Sequence, residues 1–299
     1  MKQQTKFLAI VLCLLGGTAT MFSQQSKHEF SVYGGGGLST LNYKVTTGEH
    51  KAGLGGQFGL GYHYFFSPEW GVGTGAELAF FNAKYNTKNL NIYQMTADID
   101  DVLFLFRSDV SGFEEKQRAI LLQIPLMLQF QTGGNRQFYV AAGGKVGIPL
   151  QVKYNNTASY SNSGYYLHEN ALYDTQEFLG FGNFPNKKSA GDLDFKTVFF
   201  LSAEAGVKWK LSDGLSLYTG VYMDYGLNKQ SIATQSSIVE YNKANPSDFK
   251  VNSILTYAPR ADSYCWHSRS TSSPLPAPDK IRPVAVGIKL RLAFKSIKN

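Results

Sequence analysis

Cysteine is nearly absent from this 299-residue chain, which has only Cys13 and Cys265. Cys13 falls inside an apolar N-terminal run, so the remainder holds one thiol, and no intrachain disulfide can staple it even in an oxidising compartment. Long hydrophobic runs are missing as well. The longest, at 7–15, is shorter than the roughly 20 residues a spanning helix needs, so any membrane crossing must be made by strands. Also absent are a GxSxG elbow, a phosphate-binding GxxxxGK[ST] loop and a complete GxGxxG. The five histidines, His28, His50, His63, His168 and His267, have no partners at metal-ligand spacing: His168 and Glu169 are followed at 172 by leucine. No catalytic, cofactor-binding or metal site is predicted.

The N-terminus carries Lys2 and Lys6, the apolar run, and then small or polar residues to Ser23. This reads as a secretory signal peptide, 1–23, which implies export and leaves 24–299 as the mature domain. Removing two lysines lowers the formal charge from +7 to +5, because 27 basic residues then face 22 acidic ones. The charges are scattered through strand ends and connections, which argues against a nucleic-acid partner. Glycine is plentiful at 30 residues, and aromatics make up 14%.

The most informative stretch is 119–150, AILLQIPLMLQFQTGGNRQFYVAAGGKVGIPL. On one parity stand Ile120, Leu122, Ile124, Leu126, Leu128 and Phe130, then Phe138, Val140, Ala142, Val146, Ile148 and Leu150. The other parity offers Gln123, Pro125, Met127, Gln129, Tyr139, Ala141, Gly143, Lys145 and Gly147. A period of two specifies strands, and TGGNR supplies the residues of a tight reversal. Each arm has about a dozen residues, enough to cross a hydrocarbon layer at a tilt. The same alternation recurs at 52–66, 70–85, 195–210, 215–227 and 284–294, and more weakly at 30–40.

These strands predict an all-β fold, a transmembrane antiparallel up-and-down barrel of about eight strands. Tight turns fall at 67–70, 132–136 and 211–214, and long loops at 86–116, 151–194 and 228–280. The loop 86–116 is expected to be irregular, with room for a short helix near 99–106. The second parity distinguishes a membrane barrel from a soluble one. A soluble barrel would stud its water-facing parity with several charges per strand, whereas here that parity is small and nearly uncharged, as a crowded lumen requires. The greasy parity then meets lipid, where only a closed sheet satisfies the backbone.

Several residue groups follow from this placement. Glu77, Lys145, Glu204, Asp224, Lys289 and Arg291 fall on the inward parity. They are expected to form buried ion pairs between neighbouring strands, Lys145 with Glu204 and Asp224 with Lys289 and Arg291. A polar plug is the simplest role for them, and an ion path is the alternative. Tyr62, Tyr64, Phe66, Trp70, Phe130, Phe138, Trp209 and Phe294 are expected at the turn-side membrane interface, with Phe80, Tyr85 and Phe195 at the opposite one. Pro125 is expected to mark a bulge. Tyr154, Tyr160, Tyr165, Tyr166 and Tyr173, among Asn and Ser, have the composition of a loop recognition surface, against the alternative of aromatics packing over the barrel mouth. Asp98, Asp100, Asp101 and His168 are the residues a loop-rim enzyme would use.

The segments QIPLMLQF and QFYVAAGGKVGIPL resemble the central hairpin of bacterial outer-membrane β-barrel proteins of the PorT-like and OmpA- or OmpX-like type, and GIKLRLAF is similar to their closing strand. The resemblance implies residence in the outer membrane of a Gram-negative bacterium, with loops extracellular and termini periplasmic. It also implies outer-membrane lipid as surroundings and the barrel-insertion machinery as a partner through the C-terminal strand. It implies no catalytic residue. Three roles are compatible with it. The first is a non-enzymatic surface scaffold for recognition, adhesion or envelope integrity; the second is a PorT-like accessory of a secretion apparatus; the third is a narrow pore or rim enzyme.

Overall fold

The computed structural model describes residues 27–45, 47–134, 136–230, 232, 237–256 and 279–295. The expected signal peptide, Cys265 and most of the last long connection lie outside the described residues. Among the described residues there are thirteen strands: β1 (His28–Lys44), β2 (Glu49–Ala52), β3 (Leu54–Phe65), β4 (Trp70–Ala97), β5 (Leu103–Gln131), β6 (Arg136–Tyr166), β7 (Ala171–Tyr173), β8 (Gly182–Asp192), β9 (Val198–Lys210), β10 (Leu215–Gly226), β11 (Val239–Glu240), β12 (Lys250–Val251) and β13 (Asp279–Lys295). Eight of them close a ring through antiparallel neighbours in the order β1, β3, β4, β5, β6, β9, β10, β13 and back to β1. The seam between the first and last strands is as regular as any other, running from Glu29 opposite Lys295 to Asn42 opposite Arg282. No backbone edge is left open in the ring, as a sheet surrounded by lipid requires.

The predicted parities hold around the barrel. Leu60, Val72, Leu126, Val140, Leu201, Val221 and Ile288 point outward and are exposed, whereas Gln57, Glu77, Gln123, Tyr139, Ser202, Tyr218 and Lys289 point inward and are buried. On β5 the outward apolar band covers 120–130. About 11 residues rise roughly 36 Å along the strand and about 28 Å along an axis tilted by some 40°. The aromatics expected at the turn-side rim are there. Phe30 lies opposite both Phe294 and Tyr62, and the rings of Trp70 and Phe130 are 5.0 Å apart. Pro125 interrupts the β4–β5 ladder between Thr74 and Glu77 but makes no bulge, since the register is the same on both sides; its carbonyl accepts a hydrogen bond from the Thr74 hydroxyl at 2.8 Å.

The regions expected as loops differ from that expectation. Residues 86–97 and 103–116 continue β4 and β5 as a paired hairpin that turns only at 98–102, with no helix. Likewise β6 continues to Tyr166, and β7 and β8 pair back onto it. Both departures have the same cause. Gly112 adopts a left-handed φ of 63°, and beside it the pairing with β6 slips by one residue. Buried positions on β5 are odd-numbered below that glycine and even-numbered above it. On β6 the same exchange happens at Leu150 and Gln151, both exposed, beside a second register shift. Alternation persists through these bulges but changes phase, so a single pattern does not run across them.

Beyond the apolar band, the extended strands form a tower whose aromatic core is continuous with Phe81, Phe200 and Tyr222 in the upper part of the lumen. Phe104 stacks on Tyr166 at 4.9 Å and meets Phe181 and Tyr241 edge-on; Tyr160 meets Phe249. The segment 237–256 supplies Ile238, Val239, Tyr241, Phe249, Val251, Ile254 and Leu255 to this core, and runs along it from Lys243 beside Asp101 to Ser253 beside Glu115.

Candidate functional site

Four acids and four cations converge in the lumen. The pattern that puts them there is simple: six of the eight ring strands carry one or two charges at inward positions among glycines, alanines and glutamines, two each on β9 and β13 and one each on β1, β4, β6 and β10. Glu77 of β4, Lys145 of β6 and Asp224 of β10 meet at mid-height. The Lys145 Nζ donates to Glu77 Oε1 at 2.6 Å and to Asp224 Oδ2 at 2.9 Å. Lys289 of β13 pairs with Glu204 of β9 and lies 4.0 Å from the Tyr33 ring centroid. Arg291 spreads its guanidinium between His63 Nε2 at 2.8 Å and Gln129 Oε1 at 2.7 Å, over the Tyr218 ring at 3.8 Å. Near the turn-side rim, Lys208 binds Glu29 at 3.0 Å, and Glu29 accepts a second hydrogen bond from the Tyr218 hydroxyl at 2.7 Å.

All six residues expected in the lumen are buried there, but two pairings differ from expectation. Lys145 joins Glu77 and Asp224, not Glu204, and Glu204 takes Lys289. Arg291 takes neither carboxylate. The expectation rested on strand adjacency. In an eight-stranded ring the lumen is only about two side chains wide, so residues on opposite walls touch. Glu29, His63, Gln129 and Lys208 were not anticipated as members of the network. Their signal was available, since each lies on the inward parity of its strand.

The arrangement is a plug. Glu29, Glu77, Glu204 and Asp224 balance Lys145, Lys208, Lys289 and Arg291, and each of these eight is at most 6% exposed. Large rings fill the rest against glycines. A Cβ added to Gly220 would lie 2.6 Å from the Tyr139 hydroxyl, and one on Gly73 would lie 2.4 Å from the His63 ring. Between Tyr33, His63, Pro125, Glu204 and Arg291 remains a cavity of about 20 Å³, room for about one water. Among the described residues no group of three or more His, Cys, Asp or Glu is arranged to hold a metal.

The other candidates are placed as plainly. Tyr154, Tyr160 and Tyr166 are buried in the tower core and Tyr165 and Tyr173 only partly exposed, so the five do not form a recognition surface. Tyr154, Tyr160, Tyr165 and Tyr166 sit on β6, whose change of phase turns the even-numbered three inward, and Tyr173 sits on β7. Tyr85 and Phe195 are buried in the same core instead of facing lipid, while Phe80 does face outward. The rim residues serve local structure. Asp98 accepts backbone hydrogen bonds from Asp100 and Val102 and one from the Tyr166 hydroxyl; Asp101 pairs with Lys243, and His168 with Glu169.

Closed ring, greasy outer band, aromatic rim and filled lumen together define a transmembrane β-barrel. The family model described as outer membrane protein beta-barrel domain matches residues 22–230, and the chain belongs to that family. Among solved structures, it is similar to the outer membrane protein OprG from Pseudomonas aeruginosa. The two are 15% identical with a TM-score of 0.39, and the match covers 91% of this chain and 98% of that one. No curated protein matches the sequence.

Proposed function

We propose that this barrel is a non-enzymatic surface scaffold of the outer membrane, anchored by its lower half and displaying the tower outside the cell for recognition and envelope integrity. The observation that carries the reading is the division of labour along β4, β5 and β6. Their lower halves meet lipid around a charge-balanced plug, and their upper halves enclose an aromatic core lined by 237–256. About 16 residues of β5 above the band extend roughly 50 Å along the strand, a rigid structure that neither an anchor nor a pore needs. The tight turns and both ends of the ring lie at the opposite rim, which suits insertion from the periplasm.

Protease treatment of intact cells tests this reading. Cuts confined to the tower connections at 98–102 and 167–181 are the expected result, and cuts at 67–69 or 132–135 would overturn the orientation. In planar bilayers the purified barrel is expected to pass no steady current; large sustained conductance would overturn the plug.

A further inference from the structure

The outer face of β4, β5 and β6 just above the apolar band carries like charges directly opposite one another. Lys51 of β2 lies opposite Lys84 of β4, which lies opposite Lys116 of β5. One rung lower, Arg118 lies opposite Lys153 of β6. Cross-strand pairs of like charge destabilise a sheet, so this arrangement has a cost the fold itself does not explain. Neutralisation within the chain is partial. Lys51, Lys116 and Lys153 have carboxylates at 3.4, 3.5 and 4.0 Å, on side chains about half exposed or more, and among the described residues no carboxylate pairs with Lys84 or Arg118. Five cations thus face three carboxylates.

What lies below and above the rungs identifies the partner. Below, Phe80 opposite Ile120 ends the lipid-facing band, and the Arg118 guanidinium sits 5.9 Å from the Phe80 ring centroid. The charges therefore stand at headgroup height. Above, beyond Gly112, the same face forms a groove of about 430 Å³. Its cross-strand rungs are Asn89, Ser111 and Ser159, then Asn91, Asp109 and Ser161. Amide, hydroxyl and carboxylate side chains beside Phe184 and Pro185 are the chemistry that hydrogen-bonds sugar hydroxyls. From Lys116 to Ser111 the separation is roughly 16 Å along the strand.

We propose that this face binds a phosphorylated glycolipid of the surrounding leaflet, with acyl chains on the apolar band, phosphates on the Lys84, Lys116 and Arg118 rungs, and sugars in the Asn and Ser groove. That the leaflet is the outer one rests on the orientation proposed above. The phosphates neutralise the cross-strand repulsion, and the bound lipid ties the tower to the membrane surface.

The test uses the full mature chain refolded in uncharged detergent, where binding does not depend on orientation. The probes are a bisphosphorylated glycolipid with core sugars, its dephosphorylated counterpart and inorganic phosphate. Wild type is expected to retain the phosphorylated glycolipid. A Lys84→Gln, Lys116→Gln, Arg118→Gln variant is expected to bind it roughly tenfold or more weakly, on the scale of the surface attraction of each lost cation. The variant Lys84→Arg, Lys116→Arg is expected to bind as wild type does. Weaker binding of the dephosphorylated lipid would support the proposal. It is overturned if the triple Gln variant, folded by its heat-modifiable gel mobility, binds as tightly as wild type. It is also overturned if Arg136→Gln, Lys210→Gln, Lys295→Gln at the other rim weakens binding equally, or if millimolar inorganic phosphate displaces the lipid. Protease cuts at the tight turns of intact cells would move the site to the inner leaflet and overturn the outer-leaflet assignment alone.

Discussion

The Glu115 carboxylate accepts a hydrogen bond from the Ser253 hydroxyl at 2.6 Å, joining residues 138 positions apart at the foot of the tower core. Gln117 donates to the same oxygen at 2.7 Å, and the other oxygen accepts from the Ile254 amide at 3.1 Å. Among the described residues no cation pairs with it; Tyr43, Tyr85, Tyr154 and Tyr160 surround it. Burial raises its pKa from 4.5 to about 7, against the hydrogen bonds that lower it.

Docking of the segment 237–256 therefore weakens as pH rises. The docked state binds the proton more tightly than the undocked one, so docking is strongest below about pH 4.5 and is eroded up to about pH 7. The full change is on the order of 3 kcal/mol. Protection factors of the 237–256 amides, corrected for the base-catalysed intrinsic exchange rate, should be lower at pH 8 than at pH 5. In Glu115→Gln the dependence should flatten, and a variant that kept the wild-type slope would assign it elsewhere.

Truncating Lys145 to Met leaves Glu77 and Asp224 as buried carboxylates without their cation. Loss of one partner from such a cluster costs about 3–5 kcal/mol. Urea unfolding in lipid vesicles is expected to shift to correspondingly lower denaturant. The triple variant Lys145→Met, Glu77→Gln, Asp224→Asn should recover most of the loss, because no uncompensated charge remains; a triple as unstable as the single would show that packing, not charge, dominates.

The tower and the barrel should separate under substitution. At Gly164 an added Cβ would lie 2.4 Å from the Phe181 ring. Gly164→Val is expected to displace that ring and loosen the Phe104, Tyr166 and Tyr241 cluster, costing about 1–3 kcal/mol by overpacking. Proteolysis of the tower should quicken while heat-modifiable gel mobility stays that of a folded barrel. Loss of both together would mean that the two halves fold as one unit.

At the seam, Gly37 and Gly287 lie opposite each other, and a Cβ on Gly37 would stand 2.3 Å from the Val286 carbonyl oxygen. Gly37→Val is expected to impair ring closure and lower the yield of folded barrel on refolding into vesicles, whereas Gly133→Ala in an open turn should leave it unchanged.

The barrel was legible because one parity of the lower strands is predominantly apolar, without interruption from Ile120 to Phe130 and from Val284 to Phe294. Six of the eight lumen charges, Glu77, Lys145, Glu204, Asp224, Lys289 and Arg291, were legible for the same reason, down to the wall each stands on. Their partners were not, because pairing across a narrow ring depends on the relative heights of opposite strands, which no local pattern encodes. The tower was hidden by Gly112 and by the Leu150 and Gln151 step. A reader following one phase sees the tyrosines of β6 among Asn and Ser as loop residues, although the even-numbered ones line a core.

The left-handed turn at Gly112 also makes the two halves independently inheritable. Deleting that one residue would rotate everything distal on β5 by half a strand period, turning Phe104 and Phe106 toward water and Asp109 inward, while the lipid-facing rows kept their aim. Lengthening by residue pairs would add a further layer without disturbing either. Such a chain can remodel what it shows to its surroundings and leave its footing in the bilayer as it was.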